Sequence, residues 1–184
     1  MLGVKKFLIY GTLPILATIM SGCNNNKEIE ERIRLMQSQP INMEFSDVMM
    51  HIGKDSVSSI VSKLIPYHMV VFSGAEECST CAVNSLSDWN ALINLEREGK
   101  MQLIFVFAPY KQDRESVIRT YHSSGIEHSI WVDTCDVFCK SNPCIPEDNI
   151  YHVFMLDSQN HVVLVGNPLK SEYVKTHMQR IIAN

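Results

Sequence analysis

The chain has 184 residues, six cysteines and a formal net charge of −4, a length that fits one domain with or without a targeting segment. Apolar residues make up 46% and charged residues 20%, ordinary globular usage that excludes long disorder and collagen-like or low-complexity chains. The mildly acidic balance gives no electrostatic reason to expect nucleic acid as a partner.

Residues 1–22 read as an export signal. Lys5 and Lys6 supply a positive start, and Phe7 to Met20 an apolar run interrupted by Gly11 and Pro14. The run falls short of the ~20 residues that a spanning helix needs, and suits the core of a signal peptide. It ends in Met20-Ser21-Gly22-Cys23, which resembles the lipobox of bacterial lipoproteins. That resemblance implies cleavage before Cys23, lipidation of its thiol and attachment to the lipid bilayer. The implied place is the bacterial cell envelope, on the outer membrane facing the periplasm, with surface exposure left open. Removing Lys5 and Lys6 from 16 basic residues leaves 14 against 20 acidic ones, so the processed chain carries −6. Residues 23–40, with Asn24-Asn25-Asn26 and a charged stretch, read as a partly helical tether, and 41–184 as the folded domain.

In chain order the domain predicts a strand near 41–45, a helix near 55–64 and a buried strand over Tyr67 to Ser73. A helix follows over Ser79 to Glu96, with Ala82, Val83, Leu86, Trp89, Leu92 and Ile93 on its apolar side, stopped at Gly99. The run Met101 to Ala108 suits a central strand covered on both faces. A helix near 112–123 and a short strand over Ser129 to Asp133 come next. Residues 134–149 hold three cysteines and read as a loop. Tyr151 to Leu156 and His161 to Val165 form a hairpin around Asp157-Ser158-Gln159-Asn160. Leu169 to Ile182 closes the chain as a helix. The order β-α-β-α-β-α-β-β-β-α gives an α/β fold, a mixed central sheet with helices on both faces.

Cys78-Ser79-Thr80-Cys81 lies where a buried strand meets a helix. A thiolate is the nucleophile of disulfide exchange, and backbone N–H groups at a helix start favour it. A second thiol one turn along can attack a mixed disulfide and release product. The sequence around this motif resembles the thioredoxin superfamily, and more narrowly the TlpA/ResA-like exported thioredoxin proteins and thioredoxin-like lipoproteins of Bacteroidota. The matching residues are Val70-Val71-Phe72-Ser73, Cys78 and Cys81, Trp89, the strand Leu103 to Phe107, and the hairpin ending in Gly166-Asn167-Pro168. The resemblance implies a thioredoxin-like three-layer sandwich and a membrane-tethered thiol–disulfide oxidoreductase, with Cys78 attacking and Cys81 resolving. Its partners would be cysteine-containing exported proteins and an electron-donor thiol protein. No cofactor is expected.

Three features depart from that family. Glu76 and Glu77 precede the motif where an aromatic residue is usual, and two carboxylates there oppose thiolate formation. Tyr151, followed by His152, falls at the position of the family's cis-proline, which positions substrate and blocks metal capture. Ser79-Thr80 replaces a Pro-containing dipeptide. The departures keep two other readings open: a copper or zinc carrier using Cys78, Cys81 and His152, and an interaction module without redox chemistry.

With Cys23 lipidated, five cysteines remain. Cys135, Cys139 and Cys144 are read as a loop staple (Cys135–Cys144 or Cys139–Cys144) plus one free thiol. The alternatives are a relay to the Cys78–Cys81 pair, or a soft-metal site with His128 or His152. His51, His68, His122, His161 and His177 show no ligand spacing, and the methionines show no MxxM pattern.

Overall fold

The computed structural model describes residues 20–44, 49–53, 64–126 and 128–183, apart from the side chains of 20–25. Most of the export signal, the Cys23 side chain and the helix expected near 55–64 lie outside the described residues. The elements are α1 (Met20–Gln37), β1 (Met49–Ile52), β2 (Tyr67–Ser73), α2 (Ser79–Asn84), α3 (Ile93–Arg97), β3 (Gln102–Phe107), α4 (Arg114–Ser124), β4 (Ile130–Asp133), α5 (Val137–Ser141), β5 (Val153–Asp157), β6 (Val162–Val165) and α6 (Glu172–Ala183). The strands form one sheet in the order β1-β4-β3-β2-β5-β6. The pairs β2–β3 and β3–β4 are parallel, while β1, β5 and β6 join antiparallel.

The period-two alternation of the strands splits the core into two layers. Met69, Phe105, Phe107, Ile130 and Val132 pack with Val83, Leu86, Trp89, Val117, Tyr121 and Met178. Val70, Phe72, Ile104, Val106, Phe154 and Leu156 pack with Met36, Ile41, Met43, Phe138 and Tyr151. Helices cover both faces, and the mixed sheet of the sequence reading is what the chain builds. Every residue of β3 beyond Gln102 is buried, as its unbroken apolar run requires. Met36 is fully buried, so the last turn of α1 belongs to the packed body.

Three elements differ from expectation. Residues 41–44 are not a strand. Ile41 and Met43 are buried, and the Ile41 N–H donates to the Asn160 carbonyl at 2.8 Å, so this segment packs over the hairpin; the edge strand is β1. The helix expected over 79–96 is three pieces, with a 3₁₀ segment, Leu86–Leu92, between α2 and α3. The Ser85 hydroxyl donates to the Cys81 carbonyl at 3.1 Å, a competing bond that bends helices. The buried residues that follow, Leu86, Trp89 and Leu92, recur every third position, which suits three residues per turn. The loop 134–149 contains α5 and a 3₁₀ turn, Asn149–Tyr151. The buried Asp133 carboxylate accepts the N–H groups of Cys135 at 3.0 Å and Phe138 at 2.8 Å, and Phe138 then drops into the core.

Gly166 links the hairpin to the segment before α6 at φ 126°, and a Cβ there would lie 2.9 Å from Val174 Cγ2. Gly166→Ala is expected to destabilise the protein by about 1–3 kcal/mol, the usual range for a residue forced into that region. A urea titration against wild type checks it.

Candidate functional site

The carboxyl ends of β2, β3 and β4 and the amino end of β5 share one edge of the sheet. Open α/β sheets place their sites at such an edge. After β2 the chain turns through Gly74–Glu77, with Glu77 N–H donating to the Gly74 carbonyl at 3.1 Å. Cys78 then caps α2. Cys78 and Cys81 are joined in a disulfide with Cα atoms 5.2 Å apart, and both residues are exposed. Val83, on the inner side of α2, is fully buried and anchors the short helix to the core. Because α2 has only six residues, its end supports a Cys78 thiolate less than the long helix read from the sequence would.

Both carboxylates before the motif are engaged. Glu76 accepts a hydrogen bond from the Tyr110 hydroxyl, which reaches over from the end of β3. That bond, with desolvation and the nearby charge, pushes the Tyr110 hydroxyl above the usual tyrosine range. Glu77 Oε1 lies 2.6 Å from His152 Nδ1 and accepts the Gly74 N–H at 3.1 Å. The other ring nitrogen, Nε2, donates to the Pro146 carbonyl at 3.0 Å. His152 is 5% exposed, packed edge-on against Phe72 with ring centroids 4.7 Å apart. Tyr151, expected at the cis-proline position, is buried beside it in the second core layer; no cis peptide bond occurs among the described residues.

A cleft of about 1070 Å³ opens between α1 and the 143–152 segment and ends on Gly74–Glu77, directly before Cys78. Phe72, Leu35 and Ile145 line its apolar parts, and Glu28, Arg32 and Glu147 give it charge. Cys139 and Cys144 also line it. The fold therefore brings the three-cysteine segment to the edge that carries the Cys78–Cys81 pair.

The expected loop staple does not form: Cys135 and Cys139 are exposed free thiols, and Cys144 is a buried one. Asp133 and α5 fix the backbone here, and Cys144 fills core space beside Phe138. Although the residue as a whole is exposed, desolvation of its sulfur by neighbouring atoms, then the carboxylates of Asp133, Asp136 and Glu147, push the Cys139 thiol up to about 11. At neutral pH its thiolate fraction is on the order of 10⁻⁴, which disfavours Cys139 as a relay nucleophile. Labelling of Cys139 by iodoacetamide at pH 7.5, followed by peptide mass, is expected to run about a hundredfold slower than that of an unperturbed thiol. Because this folded-state value lies above the reference 9.0, its stabilising contribution is complete below pH 9 and is lost as pH rises toward 11.

The metal sets read from the sequence are not assembled. Both ring nitrogens of His152 are occupied, and Cys78 and Cys81 bond each other. His128 sits on the opposite face of the sheet, against Phe105 and Asn90, away from the layer that holds Cys144. No group of three or more His, Cys, Asp or Glu among the described residues could hold a metal ion. Sequence reasoning missed Tyr110 and the Glu77–His152 contact. Both are long-range, and only the adjacency of Glu76 and Glu77 to the motif hinted that they needed partners.

Among solved structures, the chain is similar to a thioredoxin-like protein determined in solution in its oxidised form, with a TM-score of 0.52 and 13% identity over 79% of this chain and 95% of that one. It is also similar to a cysteine mutant of PrxQ from Xylella fastidiosa, with a TM-score of 0.49 and 11% identity over 79% of this chain and 96% of that one. A thioredoxin-like protein from Porphyromonas gingivalis aligns at a TM-score of 0.42 and 15% identity over 64% of this chain and 74% of that one. No protein-family model matches the chain, and no curated protein matches it. The first likeness, with the sheet order and the helices on both faces, establishes a thioredoxin-like fold.

Proposed function

We propose that the protein is a thiol–disulfide oxidoreductase that reduces disulfides of exported proteins, held at the cell envelope through a lipidated Cys23. The observation that carries the redox reading is the exposed Cys78–Cys81 disulfide, seated at the carboxyl end of a central strand beside an open cleft. In the reduced protein, a Cys78 thiolate attacks one sulfur of a substrate disulfide and displaces the other as a thiolate. Cys81 then attacks Cys78 Sγ, releases the second substrate thiol and leaves the Cys78–Cys81 disulfide. Two electrons pass from the protein to the substrate, and a donor thiol protein returns them by the same exchange in reverse.

The cleft suits an extended polypeptide, since its volume is at the upper end of small-molecule sites. The envelope setting rests on Lys5, Lys6, the apolar run and the Met20–Cys23 motif, and the relation to TlpA/ResA-like proteins on Val70–Ser73, Cys78, Cys81, Trp89, the strand Leu103 to Phe107 and the hairpin ending in Pro168. No helix among the described residues is long and apolar enough to cross a membrane. In this reading the acyl chains of Cys23 supply the anchor. The test is reduction of insulin disulfides by the pre-reduced protein with dithiothreitol as donor. The expected result is catalysed precipitation of the insulin B chain; a rate equal to dithiothreitol alone would contradict the redox reading.

A further inference from the structure

A carboxylate immediately before Cys78 opposes the Cys78 thiolate unless something cancels its charge. The hydrogen bonds around Glu77 show what cancels it. The Pro146 carbonyl can only accept, so His152 Nε2 carries a hydrogen. Glu77 Oε1 already accepts the Gly74 N–H, and as a carboxylate it also accepts from His152 Nδ1 at 2.6 Å. One hydrogen therefore lies between Nδ1 and Oε1, and with it on the ring the pair is a carboxylate beside a positively charged imidazole. With the shared proton on the carboxyl instead, the pair would still hold one proton and no net charge. The other charged groups lining this cleft are Glu28, Arg32, Glu76, Glu147 and Asp148, mostly of one sign. Tyr110, the partner of Glu76, is a neutral donor and cancels no charge.

We propose that His152 is the positioning residue of the Cys78–Cys81 pair: it neutralises Glu77 and ties the Gly74–Glu77 turn to the start of β5, so that Cys78 ionises in a site otherwise collecting carboxylates. The inference rests on the reading of Cys78 as the attacking thiol and adds a residue that the CxxC motif does not contain.

The test is alkylation of the fully reduced protein with iodoacetamide at pH 7, with Cys78 modification followed by peptide mass. His152→Gln is expected to slow Cys78 by about fivefold, the effect of one uncompensated charge acting across a largely aqueous site. Glu77→Gln removes both the charge and the need for its partner, and is expected to stay within about twofold of wild type. The double variant Glu77→Gln, His152→Gln is expected to recover the wild-type rate to the same margin. His152→Lys, which keeps a positive charge without the ring, covers the case in which His152→Gln does not fold, and is expected to keep the wild-type rate. An unchanged rate in His152→Gln, a double variant as slow as His152→Gln, or a slow His152→Lys overturns the proposal. The readout is alkylation and not turnover. A protein that shows this pattern yet reduces no disulfide would sink the redox reading alone, and an active reductase without the pattern would sink only this inference.

Discussion

In the insulin assay, Cys78→Ser is expected to fall to the dithiothreitol background. A serine hydroxyl does not attack a disulfide at neutral pH, and Cys81, left alone at the motif, has no partner thiol to resolve any mixed disulfide it forms. Cys144 is buried in the second core layer, and Cys139 holds its proton at neutral pH. Cys135 is exposed and lies in the turn after β4, its N–H donating to Asp133, and the thiol nearest in sequence, Cys139, is protonated at neutral pH and a poor nucleophile for resolving a mixed disulfide. Cys135→Ser and Cys139→Ser are therefore expected to retain turnover. Turnover retained in Cys78→Ser would mean that the chemistry runs elsewhere, and thiol mapping of that variant would show where.

Phe105→Ala is expected to carry the largest cost in stability, about 3–5 kcal/mol. Phe105 is fully buried in the middle of β3, with Trp89 5.9 Å and His128 5.4 Å from its ring centroid. The loss combines the transfer energy of a phenyl ring with the cavity left under the 3₁₀ segment. Against a domain stability of roughly 5–15 kcal/mol, that is a large fraction of the total. Phe105→Leu keeps most of the volume and should cost under about 1.5 kcal/mol. Denaturation in urea, followed by the fluorescence of Trp89 and Trp131, measures both. A cost under about 1 kcal/mol for the alanine variant would contradict the packing described for this face of the sheet.

The strands were legible because burial writes itself into period and composition. Tyr67–Ser73 and Met101–Ala108 are runs that only a covered sheet can use, and Asp157–Asn160 is turn chemistry between two such runs. Gly125, at φ 67°, ends α4 as a left-handed residue should. The breaks were less legible. Nothing in the apolar spacing over 79–96 distinguishes one helix from three pieces until the Ser85 hydroxyl is seen on the Cys81 carbonyl. The segment 134–149 looked like a loop because its order comes from distant groups. Asn142 bonds the backbone of Asn42 in both directions, at 2.7 and 3.0 Å, and that pairing spans 100 residues.

The site divides in the same way. The CxxC could be read directly, since its chemistry lies in local spacing. The expected effect of Glu76 and Glu77 was read from adjacency alone and needed their partners to be weighed. Glu77 meets His152 across 75 residues, and Glu76 meets Tyr110 across 34. His152 stood out in the sequence as a candidate ligand at the strand end. The structure keeps it at that place and gives its two nitrogens to a carboxylate and a carbonyl, which is the setting of a charge-balancing histidine.

The central claim is that Cys78 exchanges with disulfides of other proteins and Cys81 resolves them. Its most direct test is the Cys81→Ser variant in the native cell, with thiols blocked before lysis and the proteins separated without reductant. The account predicts slower-migrating species that contain this chain, collapse on reduction and disappear when Cys78 is also replaced. A wild-type protein inactive on insulin together with a Cys81→Ser variant that traps nothing would contradict it.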